Sequence, residues 1–163
     1  MGTWSVLRGD GNTPAGTYDN WTITQTPDGD LRISGVTGFT DSEHDVVASV
    51  NADGDMVINV QYTGVTDDKN RGELRLLLSG QYTNVEGKTY YTTTVGQPIL
   101  IGHLSDDGNS ASLDPQAVTS AGAPAYFENI RFYGRYKNST GGESAVSWNG
   151  LLSPLPQTIT RVK

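Results

Sequence analysis

The chain has 163 residues, no cysteine, 20 glycines and a net charge of −7. Without cysteine it has no disulfides, thiolate metal sites or cysteine nucleophiles, and its acidity opposes a nucleic-acid partner, which needs a basic face against phosphates. The length suits one domain, residues 1–163, with a substantial core, and no apolar run approaches the ~20 residues of a membrane span.

In chain order, Met1-Gly2 leads at once into the strand-like TWSVL, an opening that fits a chain from which a targeting segment has been removed. Strand-like runs then follow at short spacing, near 18–25, 30–34, 46–52, 55–62, 73–82, 88–95, 98–104, 110–113, 126–137, 145–152 and 157–162. Several alternate apolar with polar residues, as in Leu74, Leu76 and Leu78 against Arg75 and Ser79. That period of two predicts walls with one buried face. No segment carries a convincing helical period, so the expected fold is an all-β, antiparallel up-and-down barrel.

Asp-Gly pairs punctuate the runs: TPDGDL at 26–31, NADGDM at 51–56 and SDDGNS at 105–110. NADGDM begins like a calcium loop, with oxygen-bearing side chains at every second position. A calcium loop also needs Gly at its sixth position and Glu at its twelfth, and here those are Met56 and Tyr62. The stretch therefore reads as a two-residue hairpin turn with both central residues at positive φ, and no metal or cofactor is expected.

If successive strands run up and down, the Asp-Gly turns and the NVEG turn at 84–87 share one end. The long connections 8–17, 35–45, 63–72 and 114–125 share the other. Long loops at a barrel mouth are where ligands usually enter. Trp21, Phe39, His44, Tyr62 and Tyr126 are the candidate ligand contacts at or towards that end, each also able to serve as plain core or rim packing.

Catalytic chemistry finds little footing. His44 and His103 are the two histidines, and no G-x-S-x-G elbow is present. No catalytic residue is assigned, and His103 reads as a hydrogen-bonded wall histidine. IRFYGRYK at 130–137 alternates Arg131, Tyr133, Arg135 and Lys137 with apolar residues. It reads as an outer wall strand with solvated charges, or as an anion- or sugar-binding strip.

Gly2-Thr3-Trp4 opens the first strand, and TITRVK with Arg161 closes the last. This G-x-W start and terminal arginine resemble the signature of calycin barrels, the group holding lipocalins, fatty-acid-binding proteins and avidins. The resemblance implies that Arg161 covers the Trp4 ring in a cation–π contact. The whole run of G-x-W, W-T-I-T, an Asp-Gly hairpin, DGDMVINVQY and T-R-V-K resembles the calycin-like β-barrel domains of secreted Bacteroidetes lipoproteins. It implies a lipid anchor upstream and a place in the cell envelope or outside the cell. The expected function is a non-enzymatic binding module for a small hydrophobic or glycan ligand at the long-loop end. The alternative is a surface or adhesion module with a filled core that contacts proteins.

Overall fold

The computed structural model describes residues 1–7, 18–37, 41–67, 74–92, 94–137, 140 and 142–163. The first strands are β1 (Gly2–Leu7), β2 (Tyr18–Gln25), β3 (Leu31–Ser34), β4 (Val46–Val50), β5 (Met56–Asn59), β6 (Gln61–Asp67) and β7 (Leu74–Thr83). They are followed by β8 (Thr89–Tyr91), β9 (Pro98–Leu104), β10 (Ser110–Pro115), β11 (Ala117–Ser120), β12 (Ala123–Lys137), β13 (Glu143–Leu152) and β14 (Thr158–Arg161). A single 3-10 turn, Ser42–His44, interrupts the strands among the described residues.

Eight strands close an antiparallel up-and-down barrel in the order β1-β14-β10-β9-β5-β4-β3-β2, and β2 pairs back onto β1. The fold class expected from alternation is thus present. The other six strands form a second sheet built on the β7–β12 pair, with β6 and β8 along β7 and β11 and β13 along β12. This division leaves no mark in the sequence, because β6 and β11 each follow a barrel strand after a single residue. Segment 114–125, expected as a long loop, is strand through most of its length, and the segment expected as loop from 63 is strand to Asp67. Tertiary pairing overrides the Pro115, Gly122 and Pro124 punctuation there: Pro115 pairs only with Leu100 and Pro124 only with Thr119, each on one edge of its strand, and Gly122 lies in the turn between β11 and β12.

The turns also differ from expectation. In NADGDM, Gly54 N donates to Asn51 O at 3.0 Å and Asn51 N to Asp55 O at 3.0 Å. Gly54 alone takes positive φ, at 85°, while Asp53 does not. This is the wider hairpin loop, a turn ending in a left-handed glycine, and not the two-residue form. Asp keeps an ordinary backbone because glycine alone takes the left-handed position without steric cost. The turns at Thr26, Asn84 and Ser105 repeat the device, with Gly29, Gly87 and Gly108 at positive φ. Asn51 Oδ1 accepts from the N–H groups of Asp53 and Asp55, at 3.0 and 2.9 Å. Its oxygen therefore serves the turn's own backbone.

The core is continuous across barrel and second sheet. Gly80 marks the seam: a Cβ there would lie 2.6 Å from the Phe127 ring and 3.0 Å from Ile99 Cγ2. A bare backbone on β7 lets Phe127 of the sheet and the outward-facing Ile99 of β9 pack over it.

Candidate functional site

Because neighbouring barrel strands are antiparallel, the β2–β3, β4–β5 and β9–β10 hairpins fall at one end. The start of β1 and the end of β14 fall there too. The NVEG turn belongs to the second sheet instead, where Asn84 Nδ2 reaches Ser120 Oγ at 3.4 Å. At the opposite end of the barrel, the inward positions are filled by Trp21, Ile33, Val46, Ile58 and Leu100, all with no exposed surface.

At the hairpin end the inward positions turn small. Gly102 is the register partner of both Met56 and Leu113, so two large side chains face a position with no side chain. Ala111 sits between Ile159 and Leu104 in the same way. These choices leave a pocket of about 190 Å³, walled by Trp4, Ile23, Leu31, Met56, Leu104 and Ile159. Gly54 and Gly108 of the hairpins, with Met1, edge it, and Arg161 supplies the charged side chain of its lining.

Trp4 and Arg161 are direct cross-strand partners, and Trp4 is 4% exposed. The adjacency implied by the resemblance is therefore present. The ring stacking is not: among the described residues, guanidinium groups lie over Tyr62 and Tyr133. Arg161 Nη2 instead donates to the Met1 carbonyl at 3.0 Å. The guanidinium is held at the pocket's rim by backbone.

The sequence-predicted contacts are scattered. Trp21 is buried in the filled half of the barrel, where it is the register partner of Trp4. His44 lies in the 3-10 turn, its ring 5.7 Å from that of Phe132 and its Nδ1 2.6 Å from Asp41 Oδ1. That hydrogen bond holds the Asp41 carboxyl below its usual pKa. Tyr62 lies on the other face of the second sheet, beside Leu77, with the Arg75 guanidinium 3.8 Å from its ring centre. Tyr126, at the start of β12, is 61% exposed. Phe39 lies outside the described residues. None of the described ones lines the pocket, which opens at the end opposite the one expected. His103 is a wall residue, paired through Nδ1 with Asp55 at 2.9 Å.

The pocket residues were missed because a cavity is written as small residues at inward positions. Gly102 and Ala111 read as unremarkable strand positions until register shows what they face. No protein-family model, curated protein or solved structure matches the chain.

Proposed function

We propose that this protein is a non-enzymatic binding module of the calycin-like kind, working in the cell envelope or outside the cell. Its ligand is a small apolar molecule held in the hairpin-end pocket. The observation that carries this reading is the apolar void of about 190 Å³ in an otherwise closely packed barrel. An apolar cavity of about 150 Å³ already admits a benzene-sized guest, whereas drug-sized ligands need ~300 Å³ or more. A single ring or a short alkyl chain fits these bounds. A glycan does not suit this lining, because it would bury many hydroxyl groups against carbon with one guanidinium to meet them.

The solid packing of the other half favours the second reading, a surface module acting through protein contacts, for that end of the molecule. Both readings are separable by titrating small aromatics and short-chain alcohols while following Trp4, with Trp4→Phe as the spectral control. Ala111→Leu, which extends a side chain into the void, should weaken binding at least tenfold without lowering the melting temperature. Saturable binding that survives in Ala111→Leu would place the ligand elsewhere, and no binding of any guest would favour the surface module.

A further inference from the structure

One face of the second sheet, along which Leu77, Ser79 and Tyr133 are buried and Arg75 is exposed, has a chemistry unlike the rest of this acidic chain. Along β12, Asn129, Arg131, Tyr133 and Arg135 share one face, in register with Gln81, Ser79, Leu77 and Arg75 of β7. Arg75 and Arg135 are thus register partners. Among the described residues no carboxylate pairs with Arg75 or Arg131. Their partners are rings: Arg75 lies over Tyr62, and Arg131 lies 5.5 Å from the Tyr133 centroid with Nη1 3.4 Å from its hydroxyl. Arg131 Nε is buried with no acceptor.

Two more features complete the face. Tyr91 of β8 lies flat on Tyr133, centroids 3.9 Å apart and planes 14° apart, yet stays 41% exposed. Tyr91 therefore presents ring surface to solvent beside Tyr133. Asn129 is 8% exposed and gives its Nδ2 to Gln81 Oε1 at 3.1 Å, but its Oδ1 is buried with no donor.

We infer that this face binds an acidic saccharide chain, one bearing carboxylate or sulfate groups. Guanidinium groups meet such anions in bidentate geometry. The exposed tyrosine ring suits the C–H face of a sugar ring, since aromatic rings combine an apolar face with a polar edge. A hydroxyl supplies the donor that Asn129 Oδ1 lacks and that a bare anion cannot. Arg75 is four residues along β7 from Ser79, the register partner of Arg131, which sets the two positions roughly 13 Å apart at about 3.3 Å per residue. That spacing fits charges carried sparsely along a chain, not the one phosphate per ~3.4 Å of a nucleic-acid strand.

The test is calorimetric titration of the whole protein with oligogalacturonate and with a chondroitin sulfate oligomer. A neutral methyl-esterified oligogalacturonate, polyglutamate and oligo-dT serve as comparisons. At least one acidic saccharide should bind, its affinity falling as salt rises. Arg131→Gln and Tyr91→Ala should each weaken it at least tenfold, and so should Arg75→Gln, an exposed position that leaves folding intact. The neutral ester should not bind. Failure of both acidic saccharides, equal binding of polyglutamate or oligo-dT, or wild-type affinity in both Arg75→Gln and Arg131→Gln would overturn the inference.

Discussion

The two ends of the barrel are built from the same strands but to different densities. Trp21, Ile33 and Ile58 close the end away from the hairpins, whereas Gly102 and Ala111 hollow the hairpin end against Met56, Leu113 and Leu104. The difference teaches that one end holds the fold and the other has room to bind. Closely packed interiors lose stability when atoms are removed, while a site beside an existing void has less contact to lose.

The sharpest test of that contrast is a pair of truncations. Trp21→Ala should cost about 3–5 kcal/mol, as for a fully buried aromatic, and Met56→Ala at most ~2 kcal/mol, because one side of Met56 already borders the pocket. Equal losses in denaturant unfolding would erase the distinction between the ends.

Two glycines at positive φ sharpen it further. Gly35, at the filled end, has φ 89°, and a Cβ there would lie 2.6 Å from the Asn20 carbonyl oxygen. Gly54, at the hairpin end, has φ 85° and nothing within 4 Å of a Cβ. Gly35→Ala should cost on the order of 3 kcal/mol, backbone strain plus collision, and Gly54→Ala about 1 kcal/mol, strain alone. Thermal unfolding of the two variants decides this, and a Gly54→Ala loss as large as that of Gly35→Ala would contradict it.

The barrel was legible in the sequence because its signals are local. On β2, Trp21 and Ile23 alternate with Asn20, Thr22 and Thr24, and Asp-Gly pairs sit between apolar runs. The second sheet was not, because β7 and β12 meet through pairings such as Leu78 with Phe132 that no local pattern encodes. The pocket at the hairpin end was not foreseen for a related reason. Loop length suggested a mouth at one end, but openness depended on which side chains met inside. The turn type was missed because Asp-Gly suits two hairpin geometries, and the choice between them rests on Asn51, Asn84 and Ser105, the residues that open each turn.

Asn51→Ala should cost about 1 kcal/mol, since one side-chain oxygen serves two backbone donors. A calcium chelator should leave the melting temperature unchanged. A drop of several degrees on chelation would reveal a metal in these turns.

The smallest effect concerns Asp107. The Ser105 hydroxyl, 2.7 Å from its Oδ1, holds its carboxyl down to about 2, with the Asn109 backbone and side-chain N–H groups adding to this. With the folded value depressed below 3.8, these bonds support the turn above the usual carboxylate range and are lost as pH falls through about 2. Ser105→Ala should move the Asp107 titration up towards 3.8, read by carboxyl NMR. A titration that stays at about 2 would assign the shift to Asn109 alone.

The pairing of β1 with β14 ties residue 4 to residue 161, and Val162 N donates to Thr3 O at 2.9 Å. Making that contact first, across an otherwise unfolded chain, would cost about 4–5 kcal/mol of loop-closure entropy. Hairpins of a few residues carry almost none of that penalty. The β7–β12 pairing bypasses the chain between Leu78 and Phe132 and so shortens the path from β1 to β14 before the ring closes. Contact separation alone thus predicts that the second sheet forms before the Trp4–Arg161 seam closes. Substitutions at that seam should therefore speed unfolding more than they slow folding.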